Sequence, residues 1–449
     1  MLRVPSFLER EGQVVLCWRA EPMSALQTNR VQCRKEGCSN TILPSTAAAN
    51  DGLCAPCLGR IKQEAEERYI RENRREVNPY AGLTDPVEII KVLHAKRDYD
   101  PLISYSPAPK PIEELYGELS EGEANRLMGV AAEALRAGYN KFAESIAQSL
   151  AAMTDYHLDN LLLVFVEKAK FWPDLIFRGA SVPVRDSVIN ALEDGRAHPG
   201  AALLALAWIG DEVVQKKFEE WDTENASWRN RQFVKPSNFS EHAGWELVQG
   251  TRRNLFHSKC FAVIPTRTEP SNEMPVKLMQ SVKERCPWCA QKLVHLIEVD
   301  TSSEGFGFLG GMSRVVSVLT CHACTLFTTV YGCLCADGST RWAECNTRPN
   351  DLPEDMDGWP TSPWRRTSFT LRPRRAFEAA NWCLGLVTTQ IGGMPSWVQH
   401  PDYPKCPSCK RTMLNVGQVD NGAFRGFEGV YYAFFCADCG MTATTYQQT

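Results

Sequence analysis

The phrase CPWCAQKLVHLIEVD at residues 286–300 returns as CPSCKRTMLNVGQVD at residues 406–420, displaced by 120 positions. Aligned without a gap, Met274 to Asp300 and Met394 to Asp420 share a Met-Pro start, a Cys-Pro-x-Cys centre and a Val-Asp close, seven identities in 27 positions. Each copy runs on to a second cysteine pair, Cys321 with Cys324 and Cys436 with Cys439. Both then pass through threonines to a tyrosine seven residues further on, Tyr331 and Tyr446. Two cysteines separated by two residues can hold adjacent corners of a tetrahedron, and a second pair brought over by a hairpin completes four thiolates, the donor set that suits zinc. The spacing therefore predicts a duplicated zinc unit, with one site from Cys286, Cys289, Cys321 and Cys324 and another from Cys406, Cys409, Cys436 and Cys439. Four sulfurs close the coordination shell and leave no position for water or substrate, so the expected role is structural.

A third set stands near the front, where Cys33 and Cys38 are followed by Cys54 and Cys57, with Gly37 and Gly52 beside them for tight turns. Twelve of the 18 cysteines fall into these three sets, so three structural Zn2+ ions are expected. The remainder, Cys17, Cys260, Cys333, Cys335, Cys345 and Cys383, show no common pattern; Cys333, Cys335 and Cys345 lack an evident fourth ligand and read as strand cysteines.

Between the first set and the duplicated units the texture is helical. After the ribbon, LGRIKQEAEERYIRENRREV carries helix formers with acids early and arginines late, in accord with the helix dipole. Residues 78–119 are proline-rich and read as an extended connector with one short helix near DPVEIIKVLHAK. At Ser120 a capping box with Glu123 opens an amphipathic segment that closes at Gly138, its apolar face made by Leu127, Val130, Ala131, Ala134 and Leu135. Five more such segments follow, the pattern of stacked helix pairs. After Trp228 the residues turn β-branched and aromatic, as in SRVVSVLTC and GVYYAFFC. The expected fold is a multidomain α+β chain: zinc ribbon plus helix over 1–77, connector over 78–119, α-solenoid block over 120–230, and β-rich zinc units over 231–345 and 346–449.

At 449 residues, with 44% apolar and 23% charged residues, the composition is that of a folded globular protein of about two to four domains. A formal charge of −4 gives no global attraction to a phosphate backbone, and the basic run from Arg365 to Arg375 reads as a strand face or connector. No apolar stretch is long enough for a signal peptide or a membrane span, so a cytoplasmic location is expected. No glycine-rich phosphate loop, serine elbow or metalloprotease helix is present, and His322 in CHAC reads as a knuckle residue. GFGFLGG from Gly305 reads as a hairpin loop, while Asp300 and Asp420, at matched positions, read as turn caps. Trp245, Trp342, Trp359, Trp364 and Trp397 read mainly as core.

The stretch from Thr388 to Asp420 resembles the YwqG-like family of bacterial domains. It carries Gly392, Gly393, Pro395, Trp397 and Gln399, then Pro404, Cys406, Pro407 and Cys409, then Gln418 and Asp420. In the first copy the glycine pair, tryptophan and glutamine are lost, with Glu273 and Lys277 at two of those places. PVRDSVINALEDG and ALLALAWIGDEVVQKKFEEW resemble HEAT-type repeats through the Val-Arg opening, the Ala-Leu ending and the turn at Gly210 and Asp211. The first cysteine set looks like a short bacterial zinc ribbon. Domains similar to the YwqG-like stretch tend to occur among immunity proteins of bacterial toxin systems. The resemblance thus implies a cytoplasmic, non-enzymatic protein that binds and neutralises a toxin domain.

A solenoid offers an extended surface for such a partner. Glu212, Glu219, Glu220 and Asp222 are its candidate acidic contacts. Nucleic acid and membrane are not expected partners. Two alternatives stand open: a nucleic-acid-binding zinc-ribbon protein, and an enzyme with an unrecognised site between the zinc units.

Overall fold

The computed structural model describes residues 29–223, 228–229, 234–266, 274–310, 314–354, 368–380, 387–420, 422 and 428–449. Cys17, Cys383, Trp359, Trp364, Arg365 and Arg366 lie outside the described residues. The chain divides into two compact units, Met1–Pro79 with Asp98–Ser106, and Tyr80–Arg97 with Pro107–Thr449.

The first unit contains a small antiparallel pair, β1 (Val31–Gln32) and β2 (Thr41–Ile42), followed by α1 (Pro44–Ala49) and the long α2 (Ala55–Asn73). Along α2 only Cys57 is buried, because its sequence is charged on every face. β3 (Arg75–Val77) pairs in parallel with β4 (Ile103–Tyr105). Parallel neighbours need a crossover, and the chain between them carries α3 (Pro86–His94), capped by Asp85, which accepts from the Val87 N–H at 3.0 Å. The stretch 78–119 therefore supplies more than an extended link: β4 and a further short helix, α4 (Ile112–Gly117), lie within it as well.

The second unit opens with α3 and α4 and continues with α5 (Glu121–Arg136), α6 (Asn140–Met153), α7 (Asp159–Glu167), α8 (Val182–Glu193), α9 (Pro199–Ile209) and α10 (Glu212–Thr223). The capping box forms as its spacing requires. Ser120 Oγ accepts from the Glu123 N–H at 3.3 Å, and Glu123 Oε2 accepts from the Ser120 N–H at 2.8 Å. Gly210, at φ 54°, ends α9 in the left-handed region that glycine tolerates. Asp211 then caps α10 through the Val214 N–H and holds Arg185 of α8 at 2.7 Å.

The β-rich part begins with the hairpin β5 (Trp245–Val248) and β6 (Thr251–Asn254), turned by Gln249 and Gly250, both at positive φ as a tight hairpin demands. Then come β7 (Cys260–Thr266), β8 (Val276–Arg285), β9 (Lys292–Asp300), β10 (Val315–Thr320), β11 (Val330–Leu334), β12 (Thr340–Trp342), β13 (Ser368–Arg374), β14 (Gln390–Gly392), β15 (Leu414–Asp420), β16 (Val430–Cys436) and β17 (Met441–Gln447). They form a three-stranded sheet in the order β10-β9-β8 and an eight-stranded sheet in the order β12-β11-β17-β16-β15-β14-β7-β13.

The expected boundary at residue 345 does not partition this sheet, which takes strands from both sides of it. The copies meet where β11 pairs antiparallel with β17, Tyr331 opposite Ala443 and Cys333 opposite Met441. These are the corresponding last strands of the repeat, and antiparallel pairing of corresponding strands is what a two-fold axis between copies produces. The symmetry is incomplete: β16 and β17 form a paired hairpin, whereas β10 leaves the sheet and β11 stays in it.

The three-stranded sheet lies on the larger one through Val276, Leu296, Val299, Val316 and Val318 against Val416, Val419, Tyr431, Ala433 and Phe435. The other face of β16 presents Tyr432 and Phe434 to Trp397, Tyr403 and Met413. β16 is thus covered on both sides, which accounts for its continuous apolar run.

Helices and sheet share a core. Fully buried Trp245 stacks on Phe218 of α10 with centroids 6.0 Å apart and donates to the Ala207 carbonyl at 2.8 Å. Met394 joins the same cluster. The basic run seals this junction: Arg372 pairs with Glu113 at 2.6 Å, and Arg375 pairs with Asp155. Arg374 donates to Gln390 Oε1 at 2.5 Å and to the Val387 carbonyl at 2.6 Å.

Candidate metal centres

All twelve expected ligands come together in three groups of four: Cys33, Cys38, Cys54 and Cys57; Cys286, Cys289, Cys321 and Cys324; Cys406, Cys409, Cys436 and Cys439. Within each group the sulfurs lie within 4.8 Å of one another, and every one is a free thiol. Close pairs stand at 3.8 Å (Cys38 and Cys54), 3.6 Å (Cys286 and Cys324), 3.4 Å (Cys289 and Cys321) and 3.7 Å (Cys409 and Cys436). A disulfide needs about 2.0 Å. A tetrahedron with metal–sulfur bonds of about 2.3 Å has edges of about 3.8 Å, so the three clusters are compatible with three metal sites.

The second and third centres are built by the same backbone. In one knuckle the Cys286 N–H donates to the Gln291 carbonyl and the Ala290 N–H to the Cys286 carbonyl, at 2.8 and 2.9 Å. In the other, Cys406 with Arg411 and Lys410 with Cys406 repeat both bonds at 2.8 Å. Ala290 and Lys410 hold φ of 57° and 63°, the left-handed conformation that folds the chain back so that both cysteines face one point. The duplication is therefore one of geometry as well as of letters.

The surroundings differ. At the first centre Cys54 caps α2 and Cys57 lies in its first turn, where its thiol is pushed up, chiefly by the hydrogen bond with Cys54. The Asn40 amide, 3.5 Å from Cys54 Sγ, leads the interactions that pull this thiol down to about 6, and Arg60 donates to Cys57 Sγ at 3.4 Å. At the third centre the backbone N–H of Arg411, then its side chain, bring Cys409 down to about 6, and Arg411 also pairs with Asp438. The second is wrapped by aromatic rings instead, Trp288 lying edge-on to Trp342 at 4.8 Å. Its Cys289 is held far below the usual thiol range, chiefly by the hydrogen bond with Cys286. Asn40, Arg60 and Arg411 carry no sequence signal of their own role, since any polar residue beside a knuckle would read alike.

The remaining motif residues have structural partners. Gly392 and Gly393 are at φ 69° and 75°, and a Cβ on the first would sit 2.1 Å from the Lys259 carbonyl oxygen. The segment after them is held by buried amides: Gln418 Oε1 accepts from Ser396 N–H, Gln447 Oε1 from Gln399 N–H, and Gln390 Nε2 donates to the Met394 carbonyl. Trp397 packs against Tyr432 at 4.5 Å and Tyr403 at 5.0 Å. Asp300 and Asp420 both cap turns, accepting from the N–H two residues ahead, Ser302 and Gly422. Gly305 to Gly310 lies in the connection from β9 to β10, with Phe306 stacked on Phe261 at 4.6 Å.

The extra cysteines enter no further four-ligand group among the described residues. Cys260 donates to Gln390 Oε1 at 3.3 Å, Cys333 faces Met441 Sδ at 3.6 Å, and Cys345 is exposed. His322 offers its carbonyl to the Tyr431 hydroxyl at 3.1 Å, a tie between the copies. Of the four helix-terminal acids, Asp222 is taken by Ser237 and Glu220 lies 3.6 Å from Lys217, while Glu212 and Glu219 are exposed.

Among the described residues no helix is long and apolar enough to cross a membrane. No protein-family model and no solved structure matches the chain. The chain is 36% identical over 429 residues to the uncharacterized protein YpfL of Salmonella typhimurium, an alignment spanning 94% of this chain and 99% of YpfL, and it belongs to the same family as that protein.

Proposed function

We propose that the chain is a zinc-stapled, non-enzymatic protein-binding scaffold that acts in the cytoplasm as an immunity protein, gripping and silencing a toxin domain. The observation that carries this reading is the division of labour in the second unit. Among its described residues the gathered metal-type donors are all in closed four-sulfur clusters, while its helical block turns large apolar side chains outward: Tyr139 is 70% exposed, Val182 55% and Trp172 50%. Zinc is the ion that four thiolates at this spacing suit, and a structural ion contributes about 10–16 kcal/mol of apparent folding free energy in small peptides. The ion pair between Arg185 of α8 and Asp211 before α10 supports reading the helices as HEAT-like, since it ties the opening of one pair to the turn of the next. Glu212 and Glu219 would add acidic contacts for a basic partner. The toxin assignment rests on the resemblance of Thr388–Asp420 to YwqG-like domains. Nucleic acid is a weaker reading, because Arg372, Arg374 and Arg375 are engaged within the protein.

The test is purification of the tagged, zinc-loaded chain from its host grown against competing cells, with copurifying chains identified by mass spectrometry. A toxin-like polypeptide at near-equal stoichiometry, whose growth arrest is relieved by co-expressing this chain, supports the proposal. Recovery of nucleic acid alone, or no relief, overturns it.

A further inference from the structure

The duplication sets equivalent cross-strand pairs beside the second and third centres, and among the described residues only the later pair has an acid. Lys405 bridges to Thr412 across the third knuckle, and 120 positions earlier Arg285 stands opposite Lys292 across the second. In the later copy the pair clasps a carboxylate from the β5–β6 hairpin. Thr412 Oγ1 donates to Glu246 Oε2 at 2.5 Å, Lys405 Nζ donates to Thr412 Oγ1 at 2.5 Å, and Lys405 Nζ lies 3.7 Å from Glu246 Oε2. Arg253 holds the other carboxylate oxygen at 2.5 Å, and the Glu246 side chain is only 15% exposed. The third knuckle thus carries a filled carboxylate seat.

The second knuckle has the same backbone, and its seat is open. Arg285 and Lys292 are both exposed, and among the described residues neither forms an ion pair. Arg285 donates one N–H to the Ala290 carbonyl at 2.8 Å, which leaves the rest of its guanidinium uncommitted. Lys283 is exposed as well, and Glu284, also exposed, forms no ion pair with any of the three. Like charges placed directly opposite on paired strands repel, a cost that the described residues do nothing to offset. Among those residues β8 is also the outer strand of its sheet, so one side of its backbone is open there, the kind of edge along which an extended segment adds.

We propose that Arg285 and Lys292 form a docking site for an acidic, extended segment of a partner protein, whose carboxylate takes the place that Glu246 takes in the later copy. The counterpart seat holds a carboxylate, and here the neutral Thr412 is replaced by a second full charge, so the occupant brings more than one acid. The Arg285 fork adds bidentate geometry that a lysine cannot offer. The site lies on the β8–β9 ladder and not on the helical block, so it stands whether or not the partner is a toxin.

The test uses the full chain with its cysteine sites loaded with zinc and a fluorescein-labelled (Glu-Val)4 peptide, followed by anisotropy at low salt. The peptide should bind, the matched (Gln-Val)4 peptide should not, and Arg285→Gln/Lys292→Gln should weaken binding by roughly tenfold or more. Lys141→Gln/Lys216→Gln, which removes the same charge from exposed positions of the helical block, should leave binding unchanged. Lys292→Glu should abolish peptide binding and raise the Tm of the free chain by about 1–3 °C, because it gives Arg285 a cross-strand partner. No binding at millimolar peptide, equal weakening by the helical-block variant, tighter binding of a single-stranded oligothymidylate than of the acidic peptide, or a Lys292→Glu chain that keeps its zinc and melts below the parent would each overturn the proposal.

Discussion

Replacing Trp397 with alanine should cost about 3 kcal/mol, whereas the same replacement at Lys277, the corresponding position in the first copy, should change stability by less than about 0.5 kcal/mol. The indole lies against Tyr432, Tyr403 and Phe434 with centroids 4.5, 5.0 and 6.2 Å away. Removing a packed tryptophan costs about 3–5 kcal/mol through lost transfer energy and the cavity left behind. Trp397 is only half-buried, so the lower end applies. Its Nε1 is buried without a hydrogen-bond partner, so Trp397→Phe should recover most of the loss. Lys277 has a side chain 54% exposed and an ion pair with Glu298 at 2.7 Å, the kind of surface pair worth a few tenths of a kcal/mol. Urea unfolding of the zinc-loaded chain, followed by fluorescence and by dye-detected zinc release, gives both differences. Equal costs at the two positions, or a Trp397→Ala cost below about 1 kcal/mol, would refute the reading of Trp397 as a core residue packed on the Tyr432 and Phe434 face of β16.

Metal analysis of the purified chain should give three zinc ions, and Cys289→Ser should reduce that count by one; a full count in the variant would exclude Cys289 as a ligand. Gly392→Ala should cost about 2–5 kcal/mol, combining left-handed strain with a contact the Lys259 carbonyl cannot relieve; a Tm within a degree of the parent would contradict it. His94, His242 and His257 are each pushed down to about 4, chiefly by burial. Unfolded histidines take up protons near 6.5 and these folded ones resist until about 4, so stability is complete above pH 6.5 and declines as pH falls through that window. For half-buried His94 the loss approaches roughly 3 kcal/mol at most, and His94→Gln should flatten the urea midpoint between pH 7 and 5 relative to the parent, a slope that stays unchanged if His94 titrates normally.

The metal ligands were legible because ligand geometry is written locally: Cys-x-x-Cys is a constraint on four consecutive residues, and a hairpin between two such pairs leaves strand-like letters. The helices α5 to α10 were legible for a similar reason, since Ser120, Glu123 and Gly210 act within one turn of themselves. What joins these parts was not. The pairing of β11 with β17 links residues more than a hundred positions apart, and its energetics lie in backbone bonds that any non-proline residue can make. Trp245 and Met394 read as apolar residues of a β-rich region, and nothing in their neighbours says that they fill a helical core. The basic run looked like a free surface because its carboxylate partners, Glu113 and Asp155, lie more than two hundred residues earlier.

The side-by-side placement of β11 and β17 bears on how such a chain can be shortened. A fragment ending before the second copy would present β11 as an open hydrogen-bonding edge with Tyr331 and Cys333 uncovered, a template for another chain. The simplest partner is a second identical fragment, docking by the contact the intact protein makes within itself. The intact chain then reads as a dimer closed within one polypeptide.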